Sequence, residues 1–365
     1  MEATLIKVAV VGYGLSANIF HLPFILYSQQ YQLVAISSSQ VQSVHQQFPM
    51  IDAYENAEQM IRECDADLIV ITSPNDSHYA LAKLALEYKR HLLIEKPITS
   101  TSEQALALAQ LAQQHSLVLS VYHNRRWDGD FLTLKRVIES GKLGKIKVLQ
   151  SNFDRFRPEV RARWREKPGE GTGILYDLGS HLLDQALCLF GAPLSLTGNC
   201  KMLRENSQTV DYFQVTLHYT HLEVVLQSSP FAANPNTRFQ LQGTKGSYIK
   251  YGLDPQEEQL ITGVSPLAPA FGVEPPANYG IEYISDELGQ HCESKKLETI
   301  TGCYAEFYSQ LAYAISSGLT VPVSAIDGAK VVRLIELAML SSEQGRTVDV
   351  DLTDFSHIKL LEKHA

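Results

Sequence analysis

Val8-Ala9-Val10-Val11-Gly12-Tyr13-Gly14-Leu15-Ser16-Ala17 decides the fold. Four apolar residues run directly into a GxGxxA turn that opens a helix-compatible stretch. Gly12 permits the tight turn, Gly14 lets backbone approach a pyrophosphate, and Ala17 keeps the helix close to the strand it leaves. The N–H groups at such a helix start, beside Leu15 and Ser16, meet phosphate charge. The pattern is informative because it sits between a strand and a helix.

Working outward, strand-like apolar runs recur at Leu5 to Val11, Leu33 to Ile36, Leu68 to Thr72, Leu92 to Ile94 and Leu117 to Val121. Helical periodicity fills the gaps, as in Ala80, Leu81, Leu84, Ala85 and in Ala105, Leu108, Ala109, Ala112. Ser100 with Glu103 predicts a capping box for the latter helix. Short, fully apolar strands alternating with helices predict a parallel sheet covered on both faces. An α/β, doubly wound Rossmann domain is therefore expected over residues 1–123.

Beyond about residue 145 the texture changes. Asp211 to Tyr219 alternates with period two, turns at Thr220-His221 and continues through Leu222 to Leu226. A second hairpin is expected around Gly243-Thr244-Lys245-Gly246. Ile261 to Gly280 holds four prolines and three glycines and reads as a loop or lid with a helix following. Tyr304 to Ile315 and Ala329 to Ser341 are helix-like. Residues 124–365 are therefore expected to form an α+β domain with a large open, mainly antiparallel sheet. One sheet face packs on helices and the other stays partly apolar, which predicts a homodimer or a dimer of dimers.

The chain has 365 residues, 45% apolar and 19% charged, enough for two domains with large cores. Its five cysteines form no CxxC pair, which argues against a zinc ribbon or disulfide framework and for a reducing, cytoplasmic setting. No apolar run is long enough to span a membrane. The net charge of −9 disfavours nucleic acid as a partner. Between Arg125 and Lys167, however, 13 Lys/Arg stand against six Asp/Glu. That run reads as a solvated face or as a basic wall beside an anionic ligand.

Chemistry-bearing residues cluster at strand ends. The second strand ends Ile36-Ser37-Ser38-Ser39-Gln40, without the carboxylate that binds the ribose 2′-OH of NAD. Ser38 and Ser39 can instead donate to a 2′-phosphate, which favours NADP, with NAD the alternative. Ile94-Glu95-Lys96-Pro97 points charge at the ligand crevice of an open parallel sheet. In Gly171 to Asp184, Asp177 and His181 stand four apart and share a helix face. Acid plus imidazole suits general acid–base work. The same pair could ligate a metal, but no third ligand lies nearby, and no metal is expected.

The ordered set of GxGxxA, Glu95-Lys96-Pro97, Asn124-Arg125-Arg126-Trp127 and Asp177-x-x-x-His181 resembles the Gfo/Idh/MocA oxidoreductase family. Ser73-Pro74-Asn75 with His78, and Gln344-Gly345-Arg346, extend the likeness over almost the whole chain. Tyr122 to Asp128, Phe156-Arg157-Pro158, Arg163 to Glu166 and Lys250 to Glu257 look most like NADP-dependent scyllo-inositol 2-dehydrogenases. Where Ser39 and Gln40 stand, those relatives often carry an arginine.

The resemblance implies reversible hydride transfer between a nicotinamide and a secondary alcohol of a cyclitol or sugar. Lys96, Asp177 and His181 would form the catalytic group, with Pro97 often cis. Gly12, Gly14, Leu15, Ser16, Ser38, Ser39, Ser73, Asn75, His78, Glu95, Lys96 and Asn124 would hold the dinucleotide. Lys96, Trp164, Asp177 and His181 would meet the substrate. An NAD-dependent glycosidase and a ligand-sensing regulator are the competing readings; retention of Lys96, Asp177 and His181 argues for an enzyme.

Overall fold

The computed structural model describes residues 5–161, 166–286, 289 and 291–356. The first third forms β1 (Ile6–Val11), α1 (Leu22–Tyr27), β2 (Tyr31–Ser37), α2 (Val41–Gln47), β3 (Asp52–Tyr54), α3 (Ala57–Glu63), β4 (Leu68–Ile71), α4 (Asn75–Glu87), β5 (His91–Ile94), α5 (Ser102–Gln114) and β6 (Leu119–Val121). Its six strands pair in parallel in the order β3-β2-β1-β4-β5-β6. Every residue of β4 is fully buried, as a strand covered on both faces must be.

Two local expectations are corrected. An edge strand, β3, lies between the second and third predicted strands. Its three residues, Asp52 to Tyr54, are exposed or half-buried and too few to show a period. Helix α5 starts one residue later than the Ser100–Glu103 box implies. Thr101 is its N-cap, accepting from the Gln104 N–H at 3.3 Å. Glu336 accepts from the Ser102 N–H and Oγ, both at 2.7 Å, so a distant helix supplies the carboxylate at this end.

The remainder adds α6 (Gly129–Glu139), β7 (Ile146–Asn152), α7 (Ser180–Phe190), β8 (Ser195–Lys201), β9 (Tyr212–His218), β10 (Glu223–Ser228), β11 (Thr237–Gly243), β12 (Gly246–Tyr251) and α8 (Gln256–Ile261). Then follow β13 (Gly280–Ser285), β14 (Cys292–Leu297), α9 (Tyr304–Ser317), α10 (Ala325–Gln344) and β15 (Val348–Asp349). The nine strands order as β14-β13-β12-β11-β7-β10-β9-β8-β15. Only β7 with β10 is parallel. Both expected hairpins form, β9 with β10 and β11 with β12.

A helix does not follow the proline-rich loop directly; the β13–β14 hairpin intervenes. Strand β14, Cys-Glu-Ser-Lys-Lys-Leu, is a charged edge with no apolar alternation to betray it. The loop is fastened rather than swinging. Phe271 is buried against Phe24, and Glu274 bonds Lys250 Nζ at 2.7 Å and Thr299 Oγ1 at 2.5 Å. Helix α9 reaches back to the parallel-sheet core, where Phe307 packs edge-on against Tyr122 and Tyr308 stacks on Phe24. Among the described residues no helix is long and apolar enough to cross a membrane.

Candidate functional site

The crevice lies at the carboxyl ends of the parallel strands. Gly12 adopts φ +98°, and its N–H donates to Ser37 O at 2.9 Å, tying the turn to the end of β2. A Cβ on Gly12 would stand 2.7 Å from Thr72 Oγ1, whereas one on Gly14 would meet nothing within 4 Å. The backbone at Gly14 is thus bare toward open space, the cradle a pyrophosphate needs. Ala17 is buried and begins a single wide π turn, Ala17–His21, that leads into α1. Leu15 is 68% exposed. Ser38 is half-buried, its Oγ accepting from the Gln40 N–H at 3.0 Å, and Ser39 is exposed. These residues fit a dinucleotide.

Glu95 is a hub. Its carboxylate accepts from Ser16 Oγ, from the Lys96 N–H at 2.9 Å and contacts His21 Nε2 at 3.1 Å. Burial pushes the carboxyl up, but His21, Lys96 and Ser16 outweigh it and hold it at about 2. His21 Nδ1 meets the Tyr308 hydroxyl at 2.7 Å, so α9 braces the network. Sequence reasoning missed His21, which carries no local signal beyond following the glycine turn. Ser16 and Glu95 therefore spend their side chains on each other.

The Ser73-Pro74-Asn75 segment shapes the crevice floor. His78 is fully buried between Pro97 O at 3.0 Å and Ser73 O at 2.9 Å, so its imidazole braces two loops and has no face left for a cofactor. Asn75 Nδ2 donates to Gly171 O at 2.8 Å and joins the two halves of the chain. Ser73 Oγ pairs with Ser77 Oγ at 2.6 Å. Asn124 is buried beside the following arginines. Trp164 lies outside the described residues.

Lys96 and Asp177 meet across 81 residues of sequence. Lys96 Nζ donates to Asp177 O at 2.6 Å and to Asp177 Oδ1 at 3.1 Å. The Lys96–Pro97 peptide is cis. Asp177 sits in a π turn, Leu175–Gly179, that opens α7, so the simple helical-face argument is replaced by a wider turn. Leu178, Leu182 and Leu183 are buried and fix this segment. His181 is 5% exposed, with Nδ1 enclosed and without a hydrogen-bond partner. Burial pushes its pKa well below the ordinary imidazole value, and Lys96, Arg125, His123 and Arg238 push the same way.

The head of the basic run, Arg125 and Arg126, is tied into ion pairs, whereas Lys135, Arg136, Lys142, Lys145 and Lys147 are exposed as on a solvated face. Arg125 bonds Glu257 and Asp128, and Arg126 bonds Asp184 at 2.6 and 2.9 Å. Arg125, Arg155 and Arg238 lie over the Phe153 ring at 4.9, 5.0 and 5.5 Å. Burial lowers Arg155 to about 10, with Arg157 adding to it. Glu257, Arg238 and His123 were not anticipated as neighbours of the site. Each becomes relevant only through packing. Among the described residues no cluster of three or more His, Cys, Asp or Glu is arranged to hold a metal.

Comparison with known proteins gives a consistent picture. Residues 6–123 match the model of an oxidoreductase family's NAD-binding Rossmann fold, and residues 135–350 match that of its C-terminal alpha/beta domain. IolW of Bacillus subtilis, named a scyllo-inositol 2-dehydrogenase (NADP(+)), is 39% identical over 94% of this chain and 95% of its own. The Escherichia coli oxidoreductase YdgJ is 40% identical over 94% of this chain and 98% of its own. The solved structure of the Bacillus subtilis oxidoreductase yvaA superimposes with a TM-score of 0.92 at 38% identity, covering 96% of this chain and 100% of that one.

Proposed function

Because the chain belongs to the Gfo/Idh/MocA oxidoreductase family, we propose that it oxidises a secondary alcohol of a cyclitol or sugar, with scyllo-inositol-like substrates favoured and NADP preferred to NAD. Lys96 held by Asp177, His181 within reach of the Lys96 charge, and a Gly14 backbone left bare together carry this reading. Residues 1–123 would hold the dinucleotide through Gly12, Gly14 and the Ser38-Ser39 turn. Residues 124–365 would supply the substrate wall and the subunit interface. Bound in that crevice, the nicotinamide supplies a hydride acceptor.

The protein's own residues then have distinct tasks. The Lys96 ammonium polarises the reacting oxygen as negative charge develops on it. Asp177 grips that ammonium through both its carbonyl and its carboxylate, which fixes where the charge stands. His181 takes the hydroxyl proton, a contribution typically worth ~10²–10⁴ in rate. Its depressed basicity keeps it neutral, hence ready to accept, throughout the physiological range.

The outward face of the second sheet supports self-association. Val148, Val225, Ile249, Ile281 and Tyr283 are half-buried there among Gln150, Gln214 and Gln227. We infer a homodimer or dimer of dimers through this face; a monomer in sedimentation at micromolar concentration would contradict it. The catalytic reading is tested by following nicotinamide absorbance while cyclitols and sugars are screened with both cofactors. Turnover of a polyol with NADP is expected. Aglycone release without net absorbance change, or no turnover of any polyol with either cofactor, would overturn it.

A further inference from the structure

Three guanidinium groups lie over the Phe153 ring, and two of them are committed to protein partners. Arg125 pairs with Glu257 and Asp128. Arg238 donates to Ser151 Oγ at 2.8 Å and to Gln185 Oε1 at 2.6 Å, and its Nε is 3.5 Å from Asp130. The third, Arg155, stands 5.0 Å from the ring centroid. Its side chain makes no hydrogen bond or ion pair among the described residues. It is half-buried, and its N–H groups are not enclosed, so they face open space.

The backbone fixes where Arg155 stands. Past the end of β7 the chain keeps pairing with β10 and its continuation. The Phe153 N–H donates to Gln227 O at 2.9 Å and the Arg155 N–H to Ser229 O at 3.0 Å. Asp154 turns the other way, accepting from the Ser229 N–H at 2.8 Å. Phe153 and Arg155 therefore share one face of the extended chain, and the full burial of Phe153 makes it the inner face.

Glu257, in the first turn of α8, is held as firmly. Its neighbour Gln256 donates to Trp127 O at 3.1 Å and accepts from the Tyr304 N–H at 2.8 Å. Only Oε2 of Glu257 meets Arg125; Oε1 has no partner among the described residues, and the side chain is 32% exposed. Burial pushes this carboxyl up, but Arg125 and Arg155 outweigh it and hold it below the ordinary range. Arg155 and Glu257 act on each other and on Asp177 without coming into contact. A donor fork and a bare acceptor thus stand apart in the chamber where Lys96 and Asp177 meet.

Unspent groups of both kinds describe what they would hold. A hydroxyl both donates and accepts, so neighbouring hydroxyls on one ring satisfy a guanidinium and a carboxylate together. A carboxylate or phosphate on the ligand would suit Arg155 but set its charge against Glu257 and Asp177. We propose that Arg155 and Glu257 clamp two hydroxyls of an uncharged polyol ring, away from the hydroxyl that meets Lys96. Arg155 donates to one of them, and Glu257 Oε1 accepts from the other. The clamp rests on the dehydrogenase reading for which hydroxyl reacts, and adds which residues choose the ring. A site built to bond hydroxyls rejects a ring that lacks them, because its own polar groups are then left unpaired.

Calorimetric titration of scyllo-inositol into the NADPH-loaded protein reads the clamp without turnover, since reduced cofactor and alcohol do not react. Arg155→Met keeps an unbranched stem over Phe153 and removes the fork. It should weaken scyllo-inositol binding about 10- to 150-fold, the span of one lost charge-assisted hydrogen bond. Arg155→Lys, a point charge without the fork, should fall between wild type and Arg155→Met. In turnover, Arg155→Met should raise KM far more than it lowers kcat, the mark of binding shared by ground and transition states.

Glucose and glucuronate, titrated in the same way, test the charge of the ring; glucuronate should bind no tighter than glucose. Tighter glucuronate binding that is lost in Arg155→Met would make Arg155 an anion receptor and overturn the clamp. So would an Arg155→Met protein that differs from wild type only in melting temperature, or a wild type that binds neither scyllo-inositol nor glucose. If scyllo-inositol binds through Arg155 yet no polyol is oxidised with either cofactor, the dehydrogenase reading falls and the clamp stands.

Discussion

Gly12 and Gly14 stand two residues apart in one turn, yet their substitution should give opposite results. At Gly14 the backbone is not left-handed, and an added Cβ meets nothing within 4 Å. Gly14→Ala should therefore leave the free protein intact, or stabilise it by about 0.4–1 kcal/mol through a less mobile unfolded chain. The new methyl would stand where a pyrophosphate must approach the bare backbone. Losing one charge-assisted hydrogen bond costs about 1.5–3 kcal/mol, which weakens NADPH binding roughly 10- to 150-fold. At Gly12 the φ of +98° strains any other residue, and the Cβ would stand 2.7 Å from Thr72 Oγ1. Thr72 Oγ1 is already bonded to Val11 O at 2.8 Å and has little room to retreat. Gly12→Ala should cost about 1–3 kcal/mol of folding stability and melt several degrees below wild type. Fluorescence titration with NADPH and thermal melts of both variants separate the effects. Tight NADPH binding by Gly14→Ala, within twofold of wild type, would refute the cradle; wild-type melting by Gly12→Ala would refute the strain argument.

Three further outcomes follow from the same geometry. Ser38→Asp places a carboxylate where a 2′-phosphate would sit, so the order of NADPH and NADH affinities should reverse; a wild type that already prefers NADH in titrations would remove the basis for it. Because His181 is held well below the ordinary imidazole range, kcat for oxidation should stay level as pH falls through 6.5 and decline only lower. Lys96→Ala should lower kcat far more than NADPH affinity and, by removing a neighbouring cation, move that limb to higher pH. His181→Ala should abolish the limb, and near-normal kcat in either alanine variant would take that residue out of the mechanism. Glu95 sits at about 2 when folded against 4.5 ordinarily, so its ion pairing contributes stability on the order of 3 kcal/mol above pH 4.5. That contribution is lost as pH falls through 2, so the stability gap between wild type and Glu95→Gln in urea melts should close between pH 5 and pH 2; a pH-independent gap would mean the carboxylate's charge is irrelevant.

What the sequence discloses is what it writes in contiguous residues. The run from Val8 to Ala17 places a strand, a turn and a buried small residue in ten consecutive positions, and β1 and its turn follow from it directly. The period-two pattern of Tyr212 to His218 works the same way, since one buried face leaves an alternating trace. Strand β3 is too short to leave one, and β14 is an edge whose charges protect it from pairing further, which erases the pattern that would reveal it. The loop of residues 261–280 is legible as a loop from its prolines, but the anchor at Glu274 depends on Lys250, a residue of another strand.

The candidate site divides along the same line. Lys96 is visible because it ends an apolar strand, and Asp177 and His181 because four residues separate them. Their relation is not visible, since the π turn that carries Asp177 changes the spacing rule the reading relies on. His78 shows how a residue type can mislead: its position invites a ligand, while two carbonyl oxygens occupy both of its nitrogens. His123 is the opposite case. It stands next to a motif that sequence reading does notice, yet what distinguishes it is the lack of a hydrogen bond, a property of everything folded around it. A partner can be guessed from charge and spacing, but an enclosed nitrogen without one exists only once the core has closed. For that reason the enclosed nitrogens of His123 and His181 belong to the tertiary structure alone, and no spacing rule applied to the sequence finds them.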